Sequence, residues 1–269
     1  MSLKDFIRKG LFSLLGSKNV DLIRYLKFSR KFSSFLKLTK REVFIKKFSQ
    51  SYEPEMATIP RLLKNPGTII DIGANYGTYS FFLSKLYPNS KIIAFEPATS
   101  SFGILRRIIR CFSLRNVIPV KKGLGEKIEN KEIIFPRNYT IIAHVAGKNS
   151  KKNKEDKSED IEITTLDSFV KRNKIKGIDL MKCDVEGFEL SVFRGAKKSL
   201  KKFKPLVFVE IEQRHTEKYG IDARNVLKFL EKIGYRSYFV KGDEIKKTNK
   251  IVPQIPLYIF STKELNPAS

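Results

Sequence analysis

Residues 68–80 read TIIDIGANYGTYS, and this stretch decides the fold. It starts with a short apolar run, passes through a glycine-containing turn, and continues into a segment that predicts a helix up to Leu86. Glycine lets the backbone turn sharply and approach a ligand, because it has no β-carbon. The helix that follows offers free N–H groups at its first turn. We therefore expect a cofactor at this turn. The candidate binding residues are Asp71, Gly73, Asn75 and Gly77.

The spacing within the turn favours one class of cofactor. A dinucleotide-binding turn has the pattern G-x-G-x-x-G, whereas residues 71–77 have the pattern D-x-G-x-N-x-G. A carboxylate two residues before the first glycine can form an ion pair with an ammonium group of the ligand. A zwitterionic ligand such as the methionine end of S-adenosylmethionine therefore fits this pattern better than a pyrophosphate. The alternative is an ordinary tight turn between a strand and a helix.

Further apolar segments follow this unit, with helical segments between several of them. Strands are predicted at residues 91–95, 116–120, 178–183 and 205–211. Buried strands that alternate with helices predict a parallel sheet with helices on both faces. Ligands of such sheets bind outside the carboxyl ends of the strands. Residues that directly follow these strands are therefore the candidates for a functional site.

Two segments extend the expected cofactor site. Glu96 follows the second strand, where a carboxylate can accept hydrogen bonds from both hydroxyls of a ribose. The turn KGLGE at residues 122–126 follows the third strand, and its small residues would leave room for a flat base. We therefore expect Gly123 and Leu124 beside the adenine. The alternatives are a solvated strand end for Glu96 and a simple turn at residues 122–126.

The candidate catalytic residues follow the fourth and fifth strands. Asp184 and Glu186 could orient an acceptor hydroxyl or accept its proton, although either could instead cap the next helix. His215 can serve as a general base near neutral pH, and His144 is a candidate lid residue. These carboxylates, with Glu212 and His215, could in principle hold magnesium, but no tight ligand spacing requires a metal. We therefore expect no metal.

Composition divides the 269-residue chain into two parts. Residues 1–50 contain thirteen basic and three acidic residues, with apolar residues at helical spacing. They predict a basic amphipathic helical extension, which either caps the core or contacts an anionic membrane surface. Residues 51–269 form the second predicted domain. Within it, residues 148–160 contain no apolar residue and predict a charged loop insertion.

The net charge of the chain indicates which partners it could bind, and its cysteines indicate the redox state of its compartment. The net charge of +25 would attract nucleic acid, anionic membranes or acidic substrates, unless the lysines only cover solvated faces. The two cysteines form no CxxC motif and suggest a reducing compartment. No apolar run is long enough to predict a transmembrane helix. We expect a cytoplasmic protein, with a peripheral location at the inner membrane surface as an extension of that prediction.

With these motifs the chain resembles the FkbM family of S-adenosylmethionine-dependent methyltransferases, over roughly residues 52–240. The matching segments are IIDIGANYGTYS (69–80), IIAFEP (92–97), GLGEK (123–127), ITTLDSF (163–169), IDLMKCDVEGFELSVFRGA (178–196) and PLVFVEIEQRH (205–215). The resemblance implies a Rossmann-like class I methyltransferase fold. Its seven-stranded, mostly parallel sheet would have the order 3-2-1-4-5-7-6, with the last pair antiparallel. It also implies methyl transfer to oxygen, commonly on sugars or other small molecules.

Two other functions remain open at this point. An RNA methyltransferase would account for the charge, but an amino-methylating enzyme of nucleic acid often carries an Asn- or Asp-Pro-Pro-aromatic loop where this chain has Asp184-Val-Glu-Gly. A nucleic-acid partner is therefore the less favoured prediction. A non-catalytic binding module with the same fold is the other alternative. We expect the acceptor to be a glycan or another small molecule.

Overall fold

The structure, a computed structural model, describes residues 29–136, 143–242 and 244–265. The strands of this part of the chain form two sheets. The large sheet contains β1 (Thr68–Ile72), β2 (Lys91–Phe95), β3 (Val117–Val120), β8 (Leu180–Cys183), β9 (Leu206–Glu210), β10 (Arg236–Lys241), β11 (Glu244–Thr248) and β12 (Leu257–Ser261). The small sheet contains β4 (Gly123–Leu124), β5 (Glu129–Phe135), β6 (His144–Val145) and β7 (Lys157–Thr164).

The large sheet has the strand order β3-β2-β1-β8-β9-β12-β10-β11. β1 lies at its centre and pairs in parallel with β2 and β8, while β12 is antiparallel to both β9 and β10. The first seven strands in this order match the predicted 3-2-1-4-5-7-6, so the α/β fold is confirmed. β11 makes the sheet eight-stranded within the described residues. The chain turns after β10 at Gly242 and pairs back on β10 before it reaches β12.

Helices cover both faces of the large sheet. The first face carries α1 (29–36), α2 (Arg41–Ser51), α3 (Ile59–Leu62), α4 (Thr78–Leu86) and α5 (Thr99–Cys111). The second face carries α6 (Leu166–Arg172), α7 (Glu189–Gly195), α8 (Lys197–Phe203) and α10 (Arg224–Lys232), and α9 (Gln213–Thr216) follows β9. Apolar side chains of the two faces form separate buried clusters. This arrangement leaves the carboxyl edge of the parallel strands available for a ligand.

The described part of the N-terminal segment packs on the domain. Phe32, Phe35, Phe44 and Phe48 are buried with the aromatic residues of α4, and the rings of Phe32 and Phe81 stack at 4.4 Å. α2 also runs across the predicted boundary at residue 50. Composition predicted a domain boundary at residue 50, but residues 29–51 are part of the packed domain. Buried aromatic residues continue through α1 and α2 and join them to the core.

The small sheet replaces part of the predicted charged loop. β7 starts at Lys157, so the last four residues of the segment 148–160 are strand rather than loop. They pair with β5 in antiparallel register from Phe135↔Lys157 to Glu132↔Asp160. A strand with one solvated face tolerates such charged residues. The rest of the predicted insertion, residues 148–156, lies outside any strand.

The membrane contact was predicted for residues 1–50. Of these, residues 1–28 lie outside the described residues. In the part of the chain that the structure describes, no helix is both long and apolar enough to cross a membrane.

Candidate active site

A cavity that opens to solvent lies at the carboxyl edge of the large sheet, beside the ends of β1, β2 and β8. The small sheet forms another wall of this cavity through Ile133, His144 and Ile163. Seven of the residues predicted for the site line it. They are Gly73, Asn75, Glu96, Gly123, Leu124, Asp184 and Glu186.

Glu96 directly follows β2, and each of its carboxylate oxygens accepts a backbone hydrogen bond. Oε2 accepts from the N–H of Asn75 and Oε1 from the N–H of Ala98, both at 2.8 Å. Burial raises the pKa of Glu96 to about 7, although the two N–H donors act in the opposite direction. Each carboxylate oxygen can accept more than one hydrogen bond. Glu96 therefore keeps acceptor capacity toward the cavity that it lines.

The turn between β1 and α4 contains three residues with positive φ. These are Gly73 at +74°, Asn75 at +49° and Gly77 at +91°. Asn75 lines the cavity, and its Oδ1 is buried without a hydrogen-bond partner among the described residues. Gly77 is not one of the described residues that line the cavity, because it is buried against the core residue Leu105 of α5. A β-carbon there would lie 2.7 Å from Leu105 Cδ1. Gly77 therefore shapes the turn instead of facing the cavity.

Asp71 does not line the cavity either, according to the described lining residues. Its side chain is fully buried between the sheet and α4, and Asp71 lies in register with Lys182 of the neighbouring strand β8. Oδ2 accepts a hydrogen bond of 2.6 Å from Ser80, and Oδ1 lies 3.9 Å from Lys182 Nζ. Burial raises the pKa of Asp71, and Lys182 opposes this rise. Oδ1 has no hydrogen-bond partner among the described residues, and the contact between Asp71 and a cofactor ammonium group stays a prediction.

Gly123 and Leu124 form β4 and lie close to the segment that follows Glu96. A β-carbon at Gly123 would lie 2.5 Å from Ile163 Cδ1 and 3.7 Å from Pro97 Cγ. The missing side chain allows β4 to approach both neighbours closely. Leu124 is buried and contributes an apolar surface to the cavity.

Asp184 and Glu186 lie on the opposite side of the cavity, in the loop after β8. Glu186 has a φ of +56°, and an added β-carbon on Gly187 would lie 2.2 Å from the backbone oxygen of His215. This close packing fixes the loop. Burial raises the pKa of Glu186 to about 7, and the charge of Asp184 adds to the rise. Glu186 Oε2 is buried without a hydrogen bond to any described residue.

His215 lies behind Glu186 instead of facing the cavity. It belongs to the short helix α9, whose backbone packs against Gly187. Its Nδ1 lies 3.3 Å from Glu186 Oε2, although the contact lacks hydrogen-bond geometry. Burial lowers the pKa of His215, and the positive charge of Lys218 adds to this. The structure thus places His215 next to Glu186, and its catalytic role stays a prediction.

The structure places the candidate lid residue His144 at the cavity and adds two residues, Glu189 and Lys182, that the sequence did not assign to the site. His144 on β6 is buried and lines the cavity. Glu189, rather than Glu186, holds the loop after β8, because its Oε1 accepts hydrogen bonds from Gly187 N at 3.0 Å and Val185 N at 3.3 Å. Lys182 is buried below the ends of β1 and β8. Only the pairing of strands and loops brings these residues to one place.

Glu210, Glu212 and His215 have ligand atoms within 4.8 Å of one another and could hold a metal by distance alone. Their present contacts oppose this. Arg214 Nη2 donates to Glu212 Oε1 at 2.8 Å, and this hydrogen bond lowers the pKa of Glu212. Burial raises the pKa of Glu210 to about 9, and its carboxyl is hydrogen-bonded to Glu212. In this structure the Glu212 carboxylate is therefore engaged with Arg214 and with the Glu210 carboxyl.

Comparison with known proteins identifies the family. A sequence profile for the methyltransferase FkbM domain matches residues 71–237, which include the β1 turn, Glu96, Asp184, Glu186 and His215. The chain belongs to the FkbM methyltransferase family.

Relatives of this FkbM chain include three curated methyltransferases. Methyltransferase sdnD of Sordaria araneosa is 30% identical over 163 residues, 51% of this chain and 62% of that protein. Methyltransferase 1 of Beauveria bassiana is 28% identical over 47% of this chain and 57% of that protein. The hexuronic acid methyltransferase AglP of Haloferax volcanii is 28% identical over 60% of this chain and 59% of that protein. The matches thus span about three fifths of the length of these relatives.

A solved structure supports the fold of this FkbM chain. The crystal structure of methyltransferase FkbM from Methylobacillus flagellatus superposes with a TM-score of 0.50. The match covers 90% of this chain and 60% of the other, at 15% sequence identity. At this level of identity the likeness concerns the fold alone.

Proposed function

We propose that this protein transfers a methyl group from S-adenosylmethionine to a hydroxyl group of a sugar, a glycan or another small molecule. The observation that carries this proposal is the meeting of three carboxylates in one cavity. Glu96, Asp184 and Glu186 come from separate strand ends and line the same space. Glu96 lies on the cofactor side and the other two on the acceptor side.

The cofactor side fits S-adenosylmethionine in its hydrogen-bonding groups and its shape. The carboxylate of Glu96 suits the two ribose hydroxyls, since both of its oxygens are oriented by backbone N–H groups. The buried Oδ1 of Asn75 lacks a partner among the described residues, as expected for an acceptor that a ligand donor would satisfy. Gly123 and Leu124 provide a flat apolar surface for the adenine. Gly73 keeps the turn close to β8, next to the methionine end.

The acceptor side provides the groups that methyl transfer to oxygen needs. When bound, S-adenosylmethionine supplies an electrophilic methyl carbon on a positively charged sulfur, which keeps the electron pair of the broken carbon–sulfur bond. The chain must hold the acceptor oxygen in line with that bond and accept its proton. The pKa of Glu186, raised to about 7 by burial, is close to the value that favours a general base near neutral pH. Asp184 can orient the hydroxyl from the same side.

His215 would support this step from behind Glu186. Because the pKa of His215 is lowered, its imidazole is mainly neutral near neutral pH and does not lock Glu186 into a permanent ion pair. The 3.3 Å contact between the two side chains can steady the carboxylate while it receives a proton.

A carbohydrate acceptor is the part of the proposal that rests on likeness. AglP, which matches 60% of this chain, is named a hexuronic acid methyltransferase. Carboxylates such as Asp184 and Glu186 commonly accept hydrogen bonds from hydroxyl groups, and a sugar offers several of these. The sulfonium cofactor and a polyhydroxy acceptor would therefore both find suitable partners in the cavity.

The first test is calorimetric titration of the purified protein with S-adenosylhomocysteine. We expect the wild type to bind, and Glu96→Ala to weaken binding by about tenfold, which corresponds to about 1.4 kcal/mol. Glu155→Ala, which removes an exposed glutamate, is the matched control and should bind like the wild type. A wild type that fails to bind would refute the proposed cofactor. Binding would justify a screen of neutral sugars and uronic acids with radiolabelled S-adenosylmethionine.

A further inference from the structure

Lys182 is a fully enclosed lysine in the segment KCDVEG, residues 182–187, and the proposed function gives it no role. The residue is 5% exposed. It lies on β8 directly opposite Asp71 of β1. Burying an ammonium group is costly unless acceptors and negative charges surround it. Its contacts therefore indicate what the charge does.

The ammonium group of Lys182 joins the two halves of the candidate site. Nζ donates to the backbone oxygen of Gly73 at 3.3 Å and to Asp184 Oδ2 at 3.3 Å. Gly73 belongs to the cofactor turn, and Asp184 belongs to the acceptor side. Lys182 thus lies below the cavity and forms one hydrogen bond to Gly73 on the cofactor side and one to Asp184 on the acceptor side.

The remaining surroundings hold the ammonium group in place. Asp71 Oδ1 lies 3.9 Å from Nζ, and the ring of Tyr79 lies 4.8 Å from it. Tyr79 in turn donates a hydrogen bond to Glu53, just before the helical turn Pro54–Thr58. The negative charges nearby raise the pKa of Lys182 even though burial acts against the charged form. Lys182 is therefore a charged group with a fixed position.

We infer that Lys182 is a positioning residue that fixes the Asp184 carboxylate relative to the Gly73 turn. Asp184 has one side-chain contact with this buried cation and otherwise faces the cavity. Without Nζ, the carboxylate would lose the contact that sets its rotamer. Its distance from the positively charged sulfur and from the acceptor would no longer be fixed. This inference rests on the proposed function, because it assumes a cationic cofactor beside Asp184.

A double-mutant cycle on cofactor binding tests the inference without knowledge of the acceptor. The variants are Asp184→Asn, Lys182→Met and the double variant, each titrated calorimetrically with S-adenosylmethionine and with S-adenosylhomocysteine. S-adenosylhomocysteine is the control ligand, because it lacks the sulfonium charge. Lys201→Met, at an exposed position of α8, is the control variant.

In the wild-type background, Asp184→Asn should weaken binding of S-adenosylmethionine by about tenfold and of S-adenosylhomocysteine by clearly less. In the Lys182→Met background the same substitution should change either affinity by less than about twofold, because Asp184 is no longer held in place. Equal effects of Asp184→Asn in both backgrounds would overturn the inference. If Lys182 acted only through its charge, Lys182→Met would instead strengthen binding of the cationic S-adenosylmethionine, because the variant removes a nearby positive charge.

Lys182→Met leaves Asp71 buried without its cation, so its thermal melting must be compared with that of the wild type. If Lys182→Met unfolds, the double-mutant cycle is repeated in the Asp71→Asn background. This substitution removes the unpaired acid and keeps a hydrogen-bond acceptor for Ser80. A wild type that binds neither ligand would refute the proposed function. Binding with additive effects would refute only the role of Lys182.

Discussion

The backbone oxygen of Asp184 lies 1.8 Å from the position that a β-carbon on Gly73 would occupy. The N–H of Asp184 also donates to the backbone oxygen of Ile72 at 3.1 Å. The end of β1 and the loop after β8 thus meet with no space for a side chain. This contact brings the turn after β1 and Asp184 to the same cavity, and it depends on a glycine at position 73.

Gly73→Ala should therefore abolish cofactor binding. The substitution would force a clash with backbone and would also strain a residue whose φ is +74°. Calorimetry with S-adenosylhomocysteine and thermal melting provide the measurements. Gly103→Ala in α5 is the control, because a β-carbon there meets nothing within 4 Å. Helix propensity predicts that this control stabilises the protein by about 0.5–1 kcal/mol. Normal binding by Gly73→Ala would contradict the described contact.

Cofactor binding should weaken as the pH falls from 8 to 6. The pKa of Glu96 is about 7, so its carboxylate form is lost over this range and with it an acceptor for the ribose hydroxyls. If only the ionised form binds, the affinity for S-adenosylhomocysteine should fall by up to about tenfold. Glu96→Gln should bind weakly with little pH dependence, whereas Glu186→Gln should keep that dependence. An unchanged pH profile in Glu96→Gln would assign the titration to another group.

Glu189→Gln should stabilise the protein at pH 8. Burial raises the pKa of Glu189 from 4.5 to about 7, so the folded state binds more protons than the unfolded state between these values. Stability from this residue is therefore present at low pH and declines as the pH rises through this range. Glutamine keeps an acceptor oxygen and removes the buried charge. We expect a gain on the order of 1 kcal/mol, or about 2–4 °C in melting temperature, at pH 8.

The control for this prediction is Glu155→Gln, because Glu155 is exposed. The advantage of Glu189→Gln should shrink as the pH approaches 5, where the wild-type carboxyl is also neutral. A lower melting temperature of Glu189→Gln at pH 8 would mean that the charge on the carboxylate stabilises the loop after β8.

Methyl transfer should not require a divalent metal. The three clustered side chains Glu210, Glu212 and His215 are engaged with one another or with Arg214, and Glu210 holds a proton near neutral pH because its pKa is about 9. Neither EDTA nor added magnesium should change the melting temperature or the affinity for S-adenosylhomocysteine. A rise in melting temperature with magnesium would instead indicate a metal bound to the folded state.

Any membrane contact should depend on residues 1–28. The phenylalanines of α1 and α2 are buried against α4, and Leu36 and Val43 are the exposed large apolar residues of these two helices in the described part of the chain. Residues 1–28 contain six basic and two acidic residues. We expect the full chain to sediment with anionic liposomes at low salt, and a chain beginning at residue 29 to do so much less. Equal sedimentation of both would place the contact on another basic surface.

The parts of the site that could be predicted are those at strand ends in a regular sheet. Glu96, Asp184 and Glu186 could be assigned to one edge, because parallel buried strands present their carboxyl ends together. Asp71 and His215 lie outside the cavity lining for different reasons. Side-chain alternation at the end of β1 turns Asp71 toward α4, and α9 carries His215 behind Glu186. His144 could be predicted only as a candidate lid residue, because the pairing of β5 with β6 that brings it to the cavity has no sequence periodicity of its own.

Local sequence patterns predicted the α/β sheet and the glycine turn after β1, because apolar strands, helical spacing and glycines at fixed offsets can be recognised within short segments. The order of the seven main strands was expected from the resemblance to the FkbM family. Only the tertiary structure decided that residues 29–51 belong to the core, that the small sheet covers the cavity and that Lys182 connects Gly73 with Asp184. These depend on contacts between residues far apart in the chain, and burial there changes the charge and the partners of each side chain.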